Sequence, residues 1–376
     1  MHMNYFSNNR KKIVYIVSSL SRSGPTNQLL DVVKGMDTNL FDIYILALSP
    51  EVPDSRLDDF VSLGITFHCF NMTRFDWFFK GNGQVLTYIK NIRPDIIHSH
   101  GVRADIINAH IKYKNAKKVA TVHNYPHSDY MMQYGVIKGW LMANAQIYAF
   151  KKLDCLVSVS NAVRSNLQDR CGINKDNIIL INNGVDKEYP DKDRGYVRHL
   201  INIPNGGKIW VYAASFVSRK NHDLLLNAWI KLDKTDHLIL LGDGPLFDSL
   251  RDKFICNENI HFLGQVTGVI NYLNCADYYV APSYAEGFPV AVLEAMAIGK
   301  PVLLSNIEPH KEIFEYTLPS DNVGVLFEHD VESLVRGVNA LKNMDYTVLS
   351  ENSNKIASLH FNSSLMSKKY QELYFL

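Results

Sequence analysis

YYVAPSYAEGFPVAVLEAMAIGKPVLL, residues 278–304, reads as one strand–loop–helix–strand unit. Tyr278–Ala281 and Pro301–Leu304 are short apolar runs of the kind that form strands buried on both faces. Between them, Val290–Ile298 is long enough and apolar enough for a buried helix. Two strands joined by a crossover helix lie parallel, with a right-handed connection. The loop Pro282–Pro289 therefore sits at the C-terminal end of a parallel sheet, where open α/β sheets bind their ligands.

Outward from this unit the same alternation continues. Towards the N-terminus, Lys208–Ala213, His237–Leu241 and Asn259–Leu263 read as strands, and Val323–Leu326 follows on the other side. The helical patterns between them are Leu224–Lys231, Leu246–Phe254, Val269–Asn274 and Val331–Leu341. An earlier series repeats the theme, with strands at Ile13–Val17, Phe41–Leu48, Asp95–Ile97, Val119–Val122, Leu156–Val159 and Ile178–Ile181. Its helical patterns include Asn27–Lys34, Ala104–Tyr113 and Asn161–Arg170. The expectation is an α/β chain of two doubly wound, Rossmann-like domains facing each other across a cleft. The polar, Pro- and Gly-punctuated stretch Asp186–Gly207 marks the joint. We place the first domain at residues 1–186 and the second at 187–359. A last amphipathic helix, 360–376, is expected to pack back on the first domain.

Composition agrees with two cores. The chain has 376 residues, 47% of them hydrophobic and 20% charged, and about 150 residues per domain is usual. Five Cys with no C-x-x-C pair argue against a disulfide framework or a zinc ribbon. Met1–Arg10 has no apolar core of a secretory leader, and no run of about 18 apolar residues occurs. A cytoplasmic location is the expectation. The net charge of +1 hides an asymmetry: residues 1–185 hold 21 Lys and Arg against 14 Asp and Glu, and residues 186–376 hold 18 against 24. A basic first half suits an anionic membrane surface, a phosphate-bearing lipid or nucleic acid, and equally a mildly basic surface without a partner. No helix-turn-helix or aromatic-and-basic stripe supports nucleic acid. Tyr134–Lys152 sets Val136, Ile137, Trp140, Leu141, Ile147 and Phe150 beside Lys138, Lys151 and Lys152, a composition suited to peripheral attachment or to an ordinary buried helix.

Residues at the expected strand ends carry the chemistry. Ser18–Thr26 is a small-residue loop entering a helix N-terminus, a ready anion site; a plain connection with Thr26 as the helix cap explains it as well. His98, His100 and Arg103 follow one strand and His123 the next. Three His at adjacent strand ends suit sugar hydroxyls better than zinc, because no carboxylate cluster accompanies them. In the second half, Ser215, Arg219 and Lys220 follow a strand, and two adjacent cations there can neutralise a diphosphate. Gly242 and Gly244 permit close backbone approach, to a ligand or within a turn. Glu286 stands in the 282–289 loop, with Gly287, Phe288 and Pro289 leading into the helix, where N–H groups are available. Glu294 stands on that helix, flanked by Val, Ala, Leu and Met. A carboxylate in so apolar a helix is costly without a partner, and one facing the cleft can hold a ribose diol.

These residues resemble the family-4 retaining glycosyltransferases, the glycogen- and sucrose-synthase-related group with the GT-B fold. Glu286 and Glu294 match the family's E-x7-E motif, and Val157–Asn161, Asn183–Asp186, Lys220 and "LLGDGPL" are similar too. The resemblance implies a nucleotide-diphosphate sugar donor held by the second domain, with Lys220 on the diphosphate and Glu294 on the ribose. It implies Glu286, with Gly287, Phe288 and Pro289, near the donor sugar. Gly24 would approach the diphosphate, and His123 the reacting sugar. The chain departs from the family where a Gly-Arg pair is usual: Ala214-Ser215 stands there, and Arg219 is the candidate substitute for the absent cation. The implied activity is retaining transfer of a hexosyl residue to a saccharide acceptor, with a lipid-linked one expected, in bacterial surface-polysaccharide biosynthesis (lipopolysaccharide or capsule). Neither a metal nor another cofactor is expected, since no Asp-x-Asp sits at a suitable strand end. A GT-B-like sugar-nucleotide epimerase and a noncatalytic sugar-binding protein are the alternatives.

Overall fold

Apolar runs rich in Ile and Val become parallel strands in the computed structural model, which describes residues 10–73, 76, 81–186, 197–199, 201, 203 and 206–376. The chain divides into two compact units, Met1–Asn182 with Met366–Leu376, and Asn183–Leu365. Most of the joint expected at Asp186–Gly207 (187–196, 200, 202, 204 and 205) lies outside the described residues.

In the first unit, β1 (Lys11–Val17), β2 (Phe41–Ala47), β3 (Thr66–Cys69), β4 (Ile96–His100), β5 (Lys117–Val122), β6 (Cys155–Ser158) and β7 (Ile178–Leu180) form one sheet. Their order is β3-β2-β1-β4-β5-β6-β7, with every pair parallel. The second sheet holds β8 (Ile209–Ala213), β9 (His237–Leu241), β10 (Ile260–Gly264), β11 (Tyr278–Ala281), β12 (Val302–Ser305) and β13 (Gly324–Phe327). Its order is β10-β9-β8-β11-β12-β13, again all parallel. Both are doubly wound sheets in which the strand order reverses beside the first strand. The crevice at such a reversal is where these folds bind ligands. In the first unit it lies between the loops after β1 and β4. In the second it lies between the loops after β8 and β11.

The helix Ser363–Phe375 completes the core of the first unit. Met366, Tyr370, Leu373 and Tyr374 are buried in one cluster with Ile13, Tyr15, Val33 and Val157. Ser367 Oγ donates to the Val32 carbonyl at 2.7 Å. Fully burying a side chain such as Leu373 contributes about 2 kcal/mol.

Two helices, Pro126–Tyr134 and Val136–Phe150, meet at Gly135, whose φ is +81°. They close on each other because Gly139 lacks a side chain; a Cβ there would strike the Tyr130 carbonyl. Within the second helix Ile147 and Phe150 are buried, so they belong to the core and not to the outward face. The strand β3 was not expected, since its four residues sit at the sheet edge and are half-buried or exposed.

Candidate active site

The second unit assembles its polar site from the loops after β8 and β11. The chain leaves β8, makes a single 3-10 turn at Ser218–Lys220, and enters the helix His222–Trp229 through Asn221, whose φ is +53°. Asn tolerates this left-handed conformation better than most residues. Its Nδ2 donates to the Pro282 carbonyl at 3.2 Å. Tyr284 N donates to the Arg219 carbonyl at 2.8 Å, and Arg219 Nη1 to the Ala285 carbonyl at 3.2 Å. These bonds stitch the cationic turn to the acidic loop.

The charges then meet. Lys220 Nζ lies 2.5 Å from Glu286 Oε1, and Arg219 Nη1 lies 3.4 Å from Oε2. Ser283 Oγ donates to Oε1 at 2.6 Å. Burial alone would raise the Glu286 carboxyl, but Lys220 first, then Arg219, and the hydrogen bonds from Lys220 and Ser283 hold it at about 2. Tyr212, on β8, donates to the Lys220 carbonyl at 2.8 Å and sits 3.2 Å from Ser283 Oγ. Beneath the loop, the Ser283 carbonyl accepts from Ser305 Oγ at 2.6 Å and from His329 Nε2 at 3.0 Å. His310 Nδ1 lies 2.9 Å from the Ser305 carbonyl. A carbonyl only accepts, so Nδ1 carries the proton. Burial keeps this imidazole neutral, near 4, against the pull of Glu286.

Glu294 is half-buried on the helix Val290–Ala297 and is engaged within the chain. Tyr279, buried on β11, feels both carboxylates: burial pushes its hydroxyl far up, and Glu286 and Glu294 push it further. Gly287, Phe288 and Pro289 are all buried. Gly287 is engaged within the chain, and Pro289 has no N–H to offer. The Phe288 carbonyl accepts from Asn183 Nδ2 at 3.2 Å.

Ser215 is exposed just after β8. Gly242 has a different explanation from ligand approach. Its φ is +126°, and a Cβ there would run into the Ala214 carbonyl. The glycine lets the β9 loop close against the β8 loop, an interaction reinforced by the 2.9 Å bond from Phe216 N to the Asp243 carbonyl.

In the first unit, Gly24 is exposed at the first turn of the helix Gly24–Lys34, with nothing near the place of a Cβ. The cap is Ser23, not Thr26: Ser23 Oγ accepts from Thr26 N at 3.4 Å. His100, at the end of β4, and His123, after β5, are partly buried, and His100 Nδ1 lies 3.1 Å from His123 Nε2. Burial lowers both, His123 to about 4, so the pair is neutral at ordinary pH. Arg103 is half-buried and engaged in the first turn of the helix Val102–His110. His98 does not join a ligand-facing row. It is fully buried, 2.6 Å from the Tyr374 hydroxyl and 2.9 Å from Thr121 Oγ1.

The sequence reading did not single out Ser283, Tyr212, Asn221 or His310. Ser283 had a signal, a hydroxyl three residues before Glu286. The other three act through contacts between distant loops, which have no local signature. Among the described residues no group of three His, Cys, Asp or Glu is placed to hold a metal, and no helix is long and apolar enough to cross a membrane.

Two doubly wound, all-parallel units in one chain are the architecture of the GT-B fold. The model of Glycosyltransferase Family 4 matches residues 22–189, and that of Glycosyl transferases group 1 matches residues 207–343. The chain is 29% identical over 374 residues to the O-antigen biosynthesis glycosyltransferase WclY of Escherichia coli, covering 96% of this chain and 98% of that one. It is 24% identical over 319 residues to the E. coli UDP-Gal:alpha-D-GlcNAc-diphosphoundecaprenol alpha-1,3-galactosyltransferase, covering 76% of each. The solved structure of Anabaena HepE in complex with UDP-glucose superposes with a TM-score of 0.80 at 17% identity, covering 97% of this chain and all of that one. The chain belongs to the family-4 and group-1 glycosyltransferases and is homologous to enzymes of bacterial surface-polysaccharide biosynthesis.

Proposed function

We propose that this enzyme is a retaining hexosyltransferase that takes its sugar from a nucleotide-diphosphate donor and adds it to a lipid-linked saccharide. The observation that carries the donor reading is the convergence of Lys220 and Arg219 on one buried carboxylate, at the sheet's reversal point. Two cations there match the charge of a diphosphate. Arg219 then serves in place of the cation absent at Ser215. HepE, of the same fold, is solved with UDP-glucose, which supports a nucleotide sugar here.

In this reading residues 187–359 hold the donor. Lys220 and Arg219 bind the diphosphate and stabilise the charge it gains on leaving. Glu294 takes the ribose diol. Glu286, with Gly287, Phe288 and Pro289, faces the donor sugar. Gly242 shapes the loop that carries Ser215. Residues 1–186, with the helix in 360–376, serve the acceptor. Gly24 approaches the diphosphate, His123 acts at the reacting sugar, and His100 and Arg103 line the acceptor side. The acceptor hydroxyl attacks the face that the diphosphate leaves, and its proton passes to the departing phosphate. The diphosphate's charge is met by side-chain cations, so the reaction is proposed to be metal-independent.

A lipid-linked acceptor is supported by the diphosphoundecaprenol in the name of the similar galactosyltransferase. It also suits the helix Val136–Phe150, where Val136 is 72% and Ile137 80% exposed, with Trp140, Leu141 and Tyr148 exposed beside them. Lys138, Lys151 and Lys152 flank these side chains. Apolar groups bordered by lysines suit the anionic inner face of a plasma membrane. A thermal-shift screen of UDP-, GDP- and ADP-sugars tests the donor, since a ligand that binds the native state raises its apparent stability. The anomeric configuration of the product, read by NMR, tests retention. Stabilisation by none of these nucleotides overturns the donor reading.

A further inference from the structure

The two cations assigned to the donor's diphosphate are not waiting unoccupied. Both direct their charge at Glu286, which is 7% exposed. One carboxylate oxygen takes Lys220 Nζ at 2.5 Å and Ser283 Oγ at 2.6 Å; the other takes Arg219 Nη1 at 3.4 Å. The protein thus carries its own anion against the cations that an incoming anion requires. Anything that draws Lys220 and Arg219 away leaves a buried carboxylate short of partners, which is strongly unfavourable. A ligand that supplies replacement hydrogen-bond donors relieves this; a ligand that supplies none does not.

We propose that Glu286 is a specificity-determining residue: as counter-ion to Lys220 and Arg219 it selects the intact sugar nucleotide over the free nucleoside diphosphate. The inference rests on the donor-site reading above. With an intact donor, sugar hydroxyls take the place of the departing cations at the Glu286 carboxylate. A free diphosphate has no hydroxyl to offer there, so it displaces the cations without compensation. Once the hexosyl group has been transferred, Glu286 reclaims Lys220 and Arg219, and the hold on the nucleotide product weakens. Ser283, steadied by the Tyr212 hydroxyl 3.2 Å away, keeps the carboxylate within reach of both cations throughout.

Calorimetry on the full chain decides the matter. The probes are inorganic pyrophosphate, then UDP, GDP and ADP, each set against UDP-glucose, GDP-mannose and ADP-glucose respectively. Glu286→Gln keeps the shape and removes the competing charge. It should bind pyrophosphate and the free diphosphate about tenfold more tightly than wild type, the scale of one charge-assisted hydrogen bond. The preference for the sugar nucleotide over its own free diphosphate should fall by at least that factor. Glu286→Asp keeps the charge and so protects the fold, but draws the carboxylate back from Lys220. It should shift both quantities in the same direction by a smaller factor, and it decides the question if the Gln variant does not fold. Unchanged or weaker pyrophosphate binding in the folded variants overturns the proposal, because Glu286 would then be anchoring the cations for phosphate. A wild-type chain that binds pyrophosphate and none of the nucleotides overturns the donor-site reading, and this proposal falls with it. Nucleotide binding with an unchanged preference in the variants overturns this proposal alone.

Discussion

Lys220 Nζ and Glu286 Oε1 lie 2.5 Å apart although 66 residues separate them in sequence. The pair joins the loops on either side of the second sheet's reversal point, so it is a structural bond as well as a site. Removing one member of a buried pair typically costs about 3–5 kcal/mol. Lys220→Ala should fall at the lower end, about 3 kcal/mol, because Arg219 remains on the same carboxylate. Urea unfolding measures this. The double variant Lys220→Ala, Glu286→Ala should lose less than the two single losses added together, since the pair is coupled; simple additivity would show that the two side chains are independent.

Acid should weaken the fold through the same carboxylate. Glu286 is held at about 2, against an ordinary value of 4.5. A depressed carboxyl contributes stability that is complete above 4.5 and is lost as pH falls towards 2. The contribution is about 3 kcal/mol. Unfolding free energies measured from pH 6 to pH 2.5 should show this fall in wild type and a flatter profile in Glu286→Gln.

The two units should answer differently to substitution. Glu294→Gln keeps the shape but removes the charge offered to a ribose diol. Hydrogen bonds to charged groups are worth about 1.5–3 kcal/mol, so donor affinity should fall roughly 10- to 150-fold. His123→Ala should lower turnover more than nucleotide affinity. Calorimetry beside steady-state rates separates the two. The reverse pattern would exchange the donor and acceptor assignments.

Membrane attachment is tested on the exposed side chains. Ile137→Glu with Trp140→Glu changes two exposed positions and should leave stability within about 0.5 kcal/mol per site. Each large apolar side chain withdrawn from water is worth about 1.5–3 kcal/mol, so cosedimentation with anionic vesicles should fall roughly a hundredfold. Wild-type binding should weaken with added salt. Vesicle binding that ignores both the substitutions and the salt would remove this helix from consideration.

Turnover should persist in EDTA. Loss on chelation, with recovery on adding Mn²⁺ or Mg²⁺, would contradict the metal-independent reaction.

The pieces legible in sequence were those whose signals are local. Ile13–Val17 and Leu238–Leu241 are buried on both faces and therefore apolar without a break. Glu294 stood out as a charge in an apolar helix, and Glu286 as the carboxylate in the loop before it. What failed to show was non-local. His98 reads as a strand-end polar residue until Tyr374 arrives from the far end of the chain to take its Nδ1. The helix Val136–Phe150 reads poorly because its apolar residues lie on both faces, with Ile147 and Phe150 inward and Ile137 and Trp140 outward. Periodicity identifies a helix by its polar face, and here exposed Val, Ile and Trp erase it. His310 supports the loop that carries Ser283 and Glu286 through Ser305, a chain of contacts that only the assembled sheet creates.

The closing helix has a consequence for synthesis on the ribosome. His98 and Tyr374 are 276 residues apart, with the whole second unit between them. Domains usually mature in the order in which they emerge. Here the N-terminal sheet leaves the exit tunnel with Tyr15, His98 and Thr121 lacking the hydroxyls of Tyr370 and Tyr374. The later unit has all of its own segments earlier than the first unit has its last one. The nascent chain therefore completes its parts in reverse.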